Sequence, residues 1–212
     1  MPMKIDRLIL GDYQTNCYIL RPAEQSADCL IIDTGTEAEE ILDFLKKHRL
    51  ISVAAVMTHG HIDHIGGMVE LRRNFPDLKV YIHKSDAVML SEPMRNLSAM
   101  TGIPYVAQPA DFLIEEPFTI DRVGIRFDVI HTAGHTPGGI CLYSKDDGVL
   151  FSGDTLFAES VGRTDFPGGS MSQLIKNIKT KLLVLPDETV VYPGHGPSTT
   201  IGQEKRNNPF LQ

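Results

Sequence analysis

The 212-residue sequence predicts an α/β (α+β) protein built as two stacked sheets with helices outside, an αβ/βα sandwich. Two observations predict it. Short apolar runs rich in β-branched residues recur along the chain, bounded by Gly, Pro or acidic turns. In each half, strands of this kind are followed by segments whose apolar residues repeat at helical spacing. The length suits a full core and a single domain, 1–212.

Residues 4–10 and 16–20 read as strands joined by a polar turn through Gly11 and Asp12. A buried strand at 29–32 ends at Asp33-Thr34-Gly35. Thr36 is then the expected N-cap of a helix, with Glu39 completing a capping box and Ile41, Leu42 and Leu45 on one face. Val53 to Met57 form the next buried strand, and a helix over about 65–74 follows, stopped by Pro76. A strand at 79–83 leads to Ser85, the expected cap of a short helix through Leu90. Residues 91–111, punctuated by Pro93, Gly102, Pro104 and Pro109, fit either a loop over a pocket or a surface connection with a short helix, the second preferred. The second half predicts strands at 118–120 and 123–130 about a turn at Asp121-Arg122, then at 140–143 and 149–151. A Gly-rich loop spans 153–170, a helix with Leu174, Ile175, Ile178 and Leu182 spans 171–185, and a last strand at 189–192 ends at Pro193-Gly194-His195-Gly196.

Composition narrows the function. A net charge of −7 leaves no basic footprint, which argues against nucleic acid as the main partner; a small-molecule substrate is the expected one. No apolar run approaches the ~20 residues of a membrane helix. The chain opens with charged residues rather than a leader-like apolar stretch. Cys17, Cys29 and Cys141 each sit in a strand-like run and read as small buried hydrophobes, which fits a reducing cytoplasm. The oligomeric state is left open.

The chemistry gathers at strand ends. Thr58-His59-Gly60-His61-Ile62-Asp63-His64 follows the strand 53–57 and holds three imidazoles and a carboxylate. His59 and His61, at i and i+2, point to the same side of extended backbone and can grip one metal, while the turn after Gly60 swings Asp63 and His64 toward a neighbouring position. His135, in Ala133-Gly134-His135-Thr136-Pro137-Gly138, also lies just past a predicted strand, and so do Asp154 and His195. Placing His59, His61 and His135 on one metal and Asp63, His64 and His195 on a second, with Asp154 between them, uses every ligand. The nitrogen and oxygen donors suit zinc, with iron or manganese also admissible. His48 and His131 read as structural, and His83 stays undecided. Gly134 to Gly139 lacks the Gly-Lys-Ser/Thr ending of a phosphate cradle.

With His135, Asp154 and His195 following in that order, the 58–64 segment resembles the metallo-β-lactamase superfamily over nearly the whole chain. The resemblance implies the αββα four-layer sandwich with a binuclear metal site at the sheet edge. It also assigns Asp33 as the acidic residue that orients a ligand, against the plainer reading of a turn into the helix. Asp154 stands where the true β-lactamases carry Cys, and Asp63 where the flavin di-iron group carries Glu. The loop Gly162-Arg163-Thr164-Asp165-Phe166-Pro167-Gly168-Gly169 and the ending Asn208-Pro209-Phe210-Leu211 look like the short bacterial members of the glyoxalase II (hydroxyacylglutathione hydrolase) group. Full-length glyoxalase II has a C-terminal helical domain for glutathione, whereas 17 residues follow His195 here.

What this implies is hydrolysis of a thioester such as S-lactoylglutathione by a metal-bridging hydroxide, with Asp63 orienting the nucleophile and Arg163 clamping a substrate carboxylate. The alternatives are an iron persulfide dioxygenase with one metal, a lactonase or phosphodiesterase, and a metal-stabilised binding protein without catalysis.

Overall fold

The computed structural model describes residues 3–212. Strands β1 (Lys4–Leu10) and β2 (Thr15–Arg21) pair antiparallel from Lys4↔Arg21 to Leu10↔Thr15. Next come β3 (Asp28–Ile32), α1 (Glu39–His48), β4 (Ile51–Val56), α2 (Ile62–Ile65), α3 (Met68–Asn74), β5 (Lys79–His83) and β6 (Phe112–Ile114). The first sheet runs β1-β2-β3-β4-β5-β6, parallel from β3 onward. The second half supplies β7 (Phe118–Arg122), β8 (Ile125–His131), β9 (Ile140–Ser144), β10 (Val149–Gly153) and the small hairpin β11 (Leu156–Phe157) and β12 (Ser160–Val161). It closes with α4 (Met171–Asn177), β13 (Val190–Pro193), β14 (Thr199–Thr200) and α5 (Ile201–Asn207). The second sheet runs β14-β13-β10-β9-β8-β7.

Period-two alternation explains the layers. On β2, Cys17 and Ile19 face outward, where they pack with Ile41 and Leu45 of α1 and with Met68 and Leu71 of α3. Tyr18 and Leu20 face inward and meet Phe127, Leu142 and Phe151 of the second sheet. On the far side, Cys141, Leu150 and Val191 lie under Leu174, Ile178, Leu182 and Ile201. These three cores separate four layers, as the αββα architecture requires. The three cysteines are buried and free. Among the described residues, no helix is long and apolar enough to cross a membrane.

Packing moves several local boundaries. Helix α1 starts at Glu39 after Ala38 with no side-chain cap, so Thr36 is not its N-cap. The backbone of Thr36 is covered instead by Gly66, where a Cβ would collide with the Thr36 carbonyl. The helix expected over 65–74 is α3, which starts only at Met68, after the separate turn α2 at Ile62–Ile65. Because α2 begins at Ile62, Asp63 and His64 ride on a helical turn. The β7–β8 turn falls at Val123-Gly124, both with positive φ (50° and 78°), and not at Asp121-Arg122. Ser85 caps nothing; Asp86 precedes the 3₁₀ turn Ala87–Leu90. The helix expected over 171–185 is α4 followed by a π-turn at Ile178–Leu182. The segment 91–111 carries a 3₁₀ turn, Ser98–Thr101, and is tied to α2: Ile62 donates to the Asn96 carbonyl, and Tyr105 Oη to that of Ile65.

Candidate metal centre

Strands β3, β4, β8, β10 and β13 all end at one edge of the sandwich, and the residues just past them converge there. His59 Nε2, His61 Nδ1 and His135 Nε2 form a triangle with sides of 3.1, 3.0 and 3.3 Å. Nitrogens about 2.0–2.2 Å from one ion lie roughly 3.0–3.5 Å apart, so the triangle has the dimensions of one coordination face. Beside it, His195 Nε2 lies 3.3 Å from His64 Nε2 and 3.3 Å from Asp63 Oδ2. The Asp154 carboxylate spans the two sets. Its Oδ1 is 3.4 Å from His64 Nε2, and its Oδ2 is 3.5 Å from His135 Nε2 and 3.6 Å from His195 Nε2. Asp154 Oδ1 is buried without a hydrogen-bond donor. Gly194 must be glycine, since a Cβ there would overlap this oxygen and the His64 ring.

The outward nitrogens decide which way the lone pairs point. His135 Nδ1 donates to the Arg163 carbonyl at 2.7 Å, and His195 Nδ1 to that of Tyr13 at 3.0 Å. His64 Nδ1 donates to Asp33 Oδ2 at 2.8 Å. Thr58 Oγ1 gives its proton to the same Asp33 oxygen, which leaves it to accept from His59 Nδ1 at 3.2 Å. Each of these rings therefore turns an unprotonated Nε2 inward. Four inward-facing ring nitrogens beside His61 Nδ1, plus an orphaned carboxylate oxygen, fit a pair of cations.

The electrostatics differ between the two sets. Burial, reinforced by neighbouring histidines, holds His59 well below the usual imidazole range, and burial takes His61 down to about 3. Burial opposes the charge on His64 and His195 as well, but Asp33, Asp154 and Asp63 outweigh it for the first, and Asp63 and Asp154 for the second. Both are raised. Burial works against the ionised form of Asp154 and Asp63 too, yet the surrounding histidines keep both below the usual carboxylate range.

The sequence pattern of the metallo-beta-lactamase superfamily matches residues 10–195, a span that runs from the end of β1 to the last of these histidines. The chain belongs to that superfamily. Hydroxyacylglutathione hydrolase GloC of Haemophilus influenzae is 36% identical over 211 residues, covering 99% of this chain and 98% of the relative. A crystal structure of BLEG-1 B3 metallo-beta-lactamase superposes with a TM-score of 0.93 at 41% identity, covering 99% of this chain and 100% of that one. TTHA1623 in a di-iron-bound form superposes with a TM-score of 0.85 at 38% identity, covering 97% and 100%. As a superfamily hydrolase, the chain carries a His/Asp cluster compatible with a binuclear metal site.

Other residues singled out in the sequence lie differently. Asp33 accepts from Thr58 N and Oγ1 and from His64 Nδ1, so it braces both sets. The Arg163 guanidinium is closed on Asp165 at 2.7 and 2.6 Å and stacks on Phe166; its carbonyl, not its side chain, reaches the cluster. A substrate carboxylate would have to displace Asp165. His48 stacks on Phe44, and His83 on His131, all outside the cluster. Sequence reasoning missed Asp86, a fully buried carboxylate just past β5 whose pKa burial raises. The signal available was its place: an acidic residue past a buried strand, at the same sheet edge as the histidines.

Proposed function

We propose that this hydrolase cleaves a thioester, S-lactoylglutathione being one candidate, with two divalent cations held by His59, His61 and His135 on one side, Asp63, His64 and His195 on the other, and Asp154 between. The observation that carries the reading is the pair of contiguous donor triads, with the lone pairs of His59, His64, His135 and His195 turned inward. Bound there, zinc, iron or manganese supplies Lewis acidity toward a carbonyl oxygen and a nucleophile from water at neutral pH. The chain's own residues do the rest. Asp154 lies between the two triads, and the outward hydrogen bonds hold His59, His64, His135 and His195 in their ligating tautomers. Asp63 turns Oδ2 to His195, which leaves Oδ1, without a hydrogen bond among the described residues, as the acceptor that would orient an attacking water. A departing thiolate, with a thiol pKa of about 8.5, needs no strong general acid. The likeness to GloC supports the thioester class. The buried free thiols support a reducing compartment such as the cytoplasm.

The likeness to BLEG-1 favours a second reading, hydrolysis of a β-lactam amide. A panel of thioesters, lactones, phosphodiesters and β-lactams, run beside elemental analysis of the purified protein, separates them. The proposal expects the highest kcat/KM on a thioester with two cations per chain. A maximum on a β-lactam overturns it, as does one iron per chain with oxygen uptake on a persulfide.

A further inference from the structure

One fully buried carboxylate lies outside both triads. Asp86 Oδ1 accepts from Gly138 N at 2.6 Å, and Oδ2 from Thr136 Oγ1 at 2.7 Å and Gly60 N at 3.1 Å. Gly60 is the residue between His59 and His61, and Thr136 and Gly138 follow His135. A single side chain from the end of β5 thus grips the two loops, one from each half of the fold, that carry all three nitrogens of the first triad. The second-half loop is also held from elsewhere: His131 Nε2 donates to the Pro137 carbonyl at 2.9 Å, and Thr132 N to that of Gly139 at 2.8 Å. Ile140 N also ties the second half to the Thr58 carbonyl at 2.9 Å, one residue before His59, but of these bonds only those of Asp86 reach Gly60, inside the His59–His61 segment. The second triad is braced by Asp33 and the Tyr13 carbonyl, neither of which bonds to Asp86.

We infer that Asp86 is the positioning residue of the His59/His61/His135 triad, setting the spacing between its first-half and second-half nitrogens and thereby that triad's affinity for a cation, without acting on the other triad. The inference rests on the two-cation reading above. Its chemistry is the acceptor inventory: all three partners are donors, so a carboxylate satisfies each of them. An amide cannot, because whichever oxygen becomes NH₂, either Gly138 N or Gly60 N is left facing another donor. Loss of a residue that orients a metal ligand typically costs about 10–100-fold in metal affinity.

Zinc affinity measured by chelator competition, with thermal melting as a folding control, tests this in two backgrounds. His195→Ala disables the second triad and isolates the first, and His135→Ala does the reverse. Asp86→Asn is expected to weaken zinc binding about 10–100-fold in the His195→Ala protein and to leave it unchanged in the His135→Ala protein. Equal weakening in both backgrounds, or none in the first, overturns the inference. Should Asp86→Asn not fold, Thr136→Val removes one of the three donors and is expected to give a smaller loss confined to the same background; a loss in the other background again overturns it. Fewer than two zinc ions per wild-type chain refutes the two-cation reading itself, and this inference with it.

Discussion

Acidification should empty the two triads in order, the one containing Asp63, His64 and His195 first. A histidine must shed its proton to ligate, so below its folded pKa each such residue costs a factor of about ten in apparent metal affinity per pH unit. His64 and His195 are both raised by the carboxylates around them, so protons compete for both through the neutral range. Affinity at that triad should therefore fall by up to ~100-fold per pH unit on acidification. His59 and His61 are both lowered, the latter to about 3, so protons compete for them far less than for His64 and His195. Affinity at the first triad should therefore fall less steeply on acidification than at the second. Zinc affinity measured at pH 7.5, 6.5 and 5.5 in the His135→Ala and His195→Ala proteins reads the two slopes separately. Hydrolysis that needs both cations should collapse below about pH 6, with one cation still bound. A steeper slope in the His195→Ala protein, or full activity of metal-replete enzyme at pH 5, would refute the reasoning.

Three further perturbations follow from the same contacts. Asp154→Asn, assayed with both cations retained, should lower kcat at least 100-fold, roughly the loss of an electrostatic catalytic group; an unchanged rate removes Asp154 from the site. Asp33→Asn places an amide where two oxygens accept from Thr58 and His64, and should weaken zinc binding by about 10–100-fold in chelator competition. Gly66→Ala drives a Cβ into the Thr36 backbone and should cost about 1–3 kcal/mol, seen as a melting temperature lower by roughly 2–10 °C; an unshifted melt means that contact is loose.

Much of the fold was legible in the chain because it depends on contiguous pattern. Alternation on β2 and the apolar stripe Ile41–Leu45 are local properties, and they place each strand and helix face before any partner is known. The same holds for the ligand residues, whose types and positions after strand ends are visible one segment at a time. The boundaries that moved did so where another part of the chain intervened. Gly66, thirty residues on, packs against the Thr36 backbone while α1 starts later, after Ala38, and the β7–β8 turn falls on an apolar Val123 that gives no turn signal of its own.

The sequence by itself determined the two-sheet architecture and the His/Asp set, since hydrophobic period and donor chemistry are written residue by residue. Only the tertiary structure decided how those donors are aimed. The carbonyls of Tyr13 and Arg163 fix the tautomers of His195 and His135, and any residue type at those positions would supply the same acceptor. Arg163 reads as a free cation until Asp165 is seen filling its fork. Asp86 looks like a surface acid until packing buries it between Gly60 and Gly138, residues 78 apart that meet only when the two sheets stack. Spacing along a chain specifies which groups are near one another locally; the distance between halves is set by packing, and a metal site depends on that distance to a few tenths of an ångström.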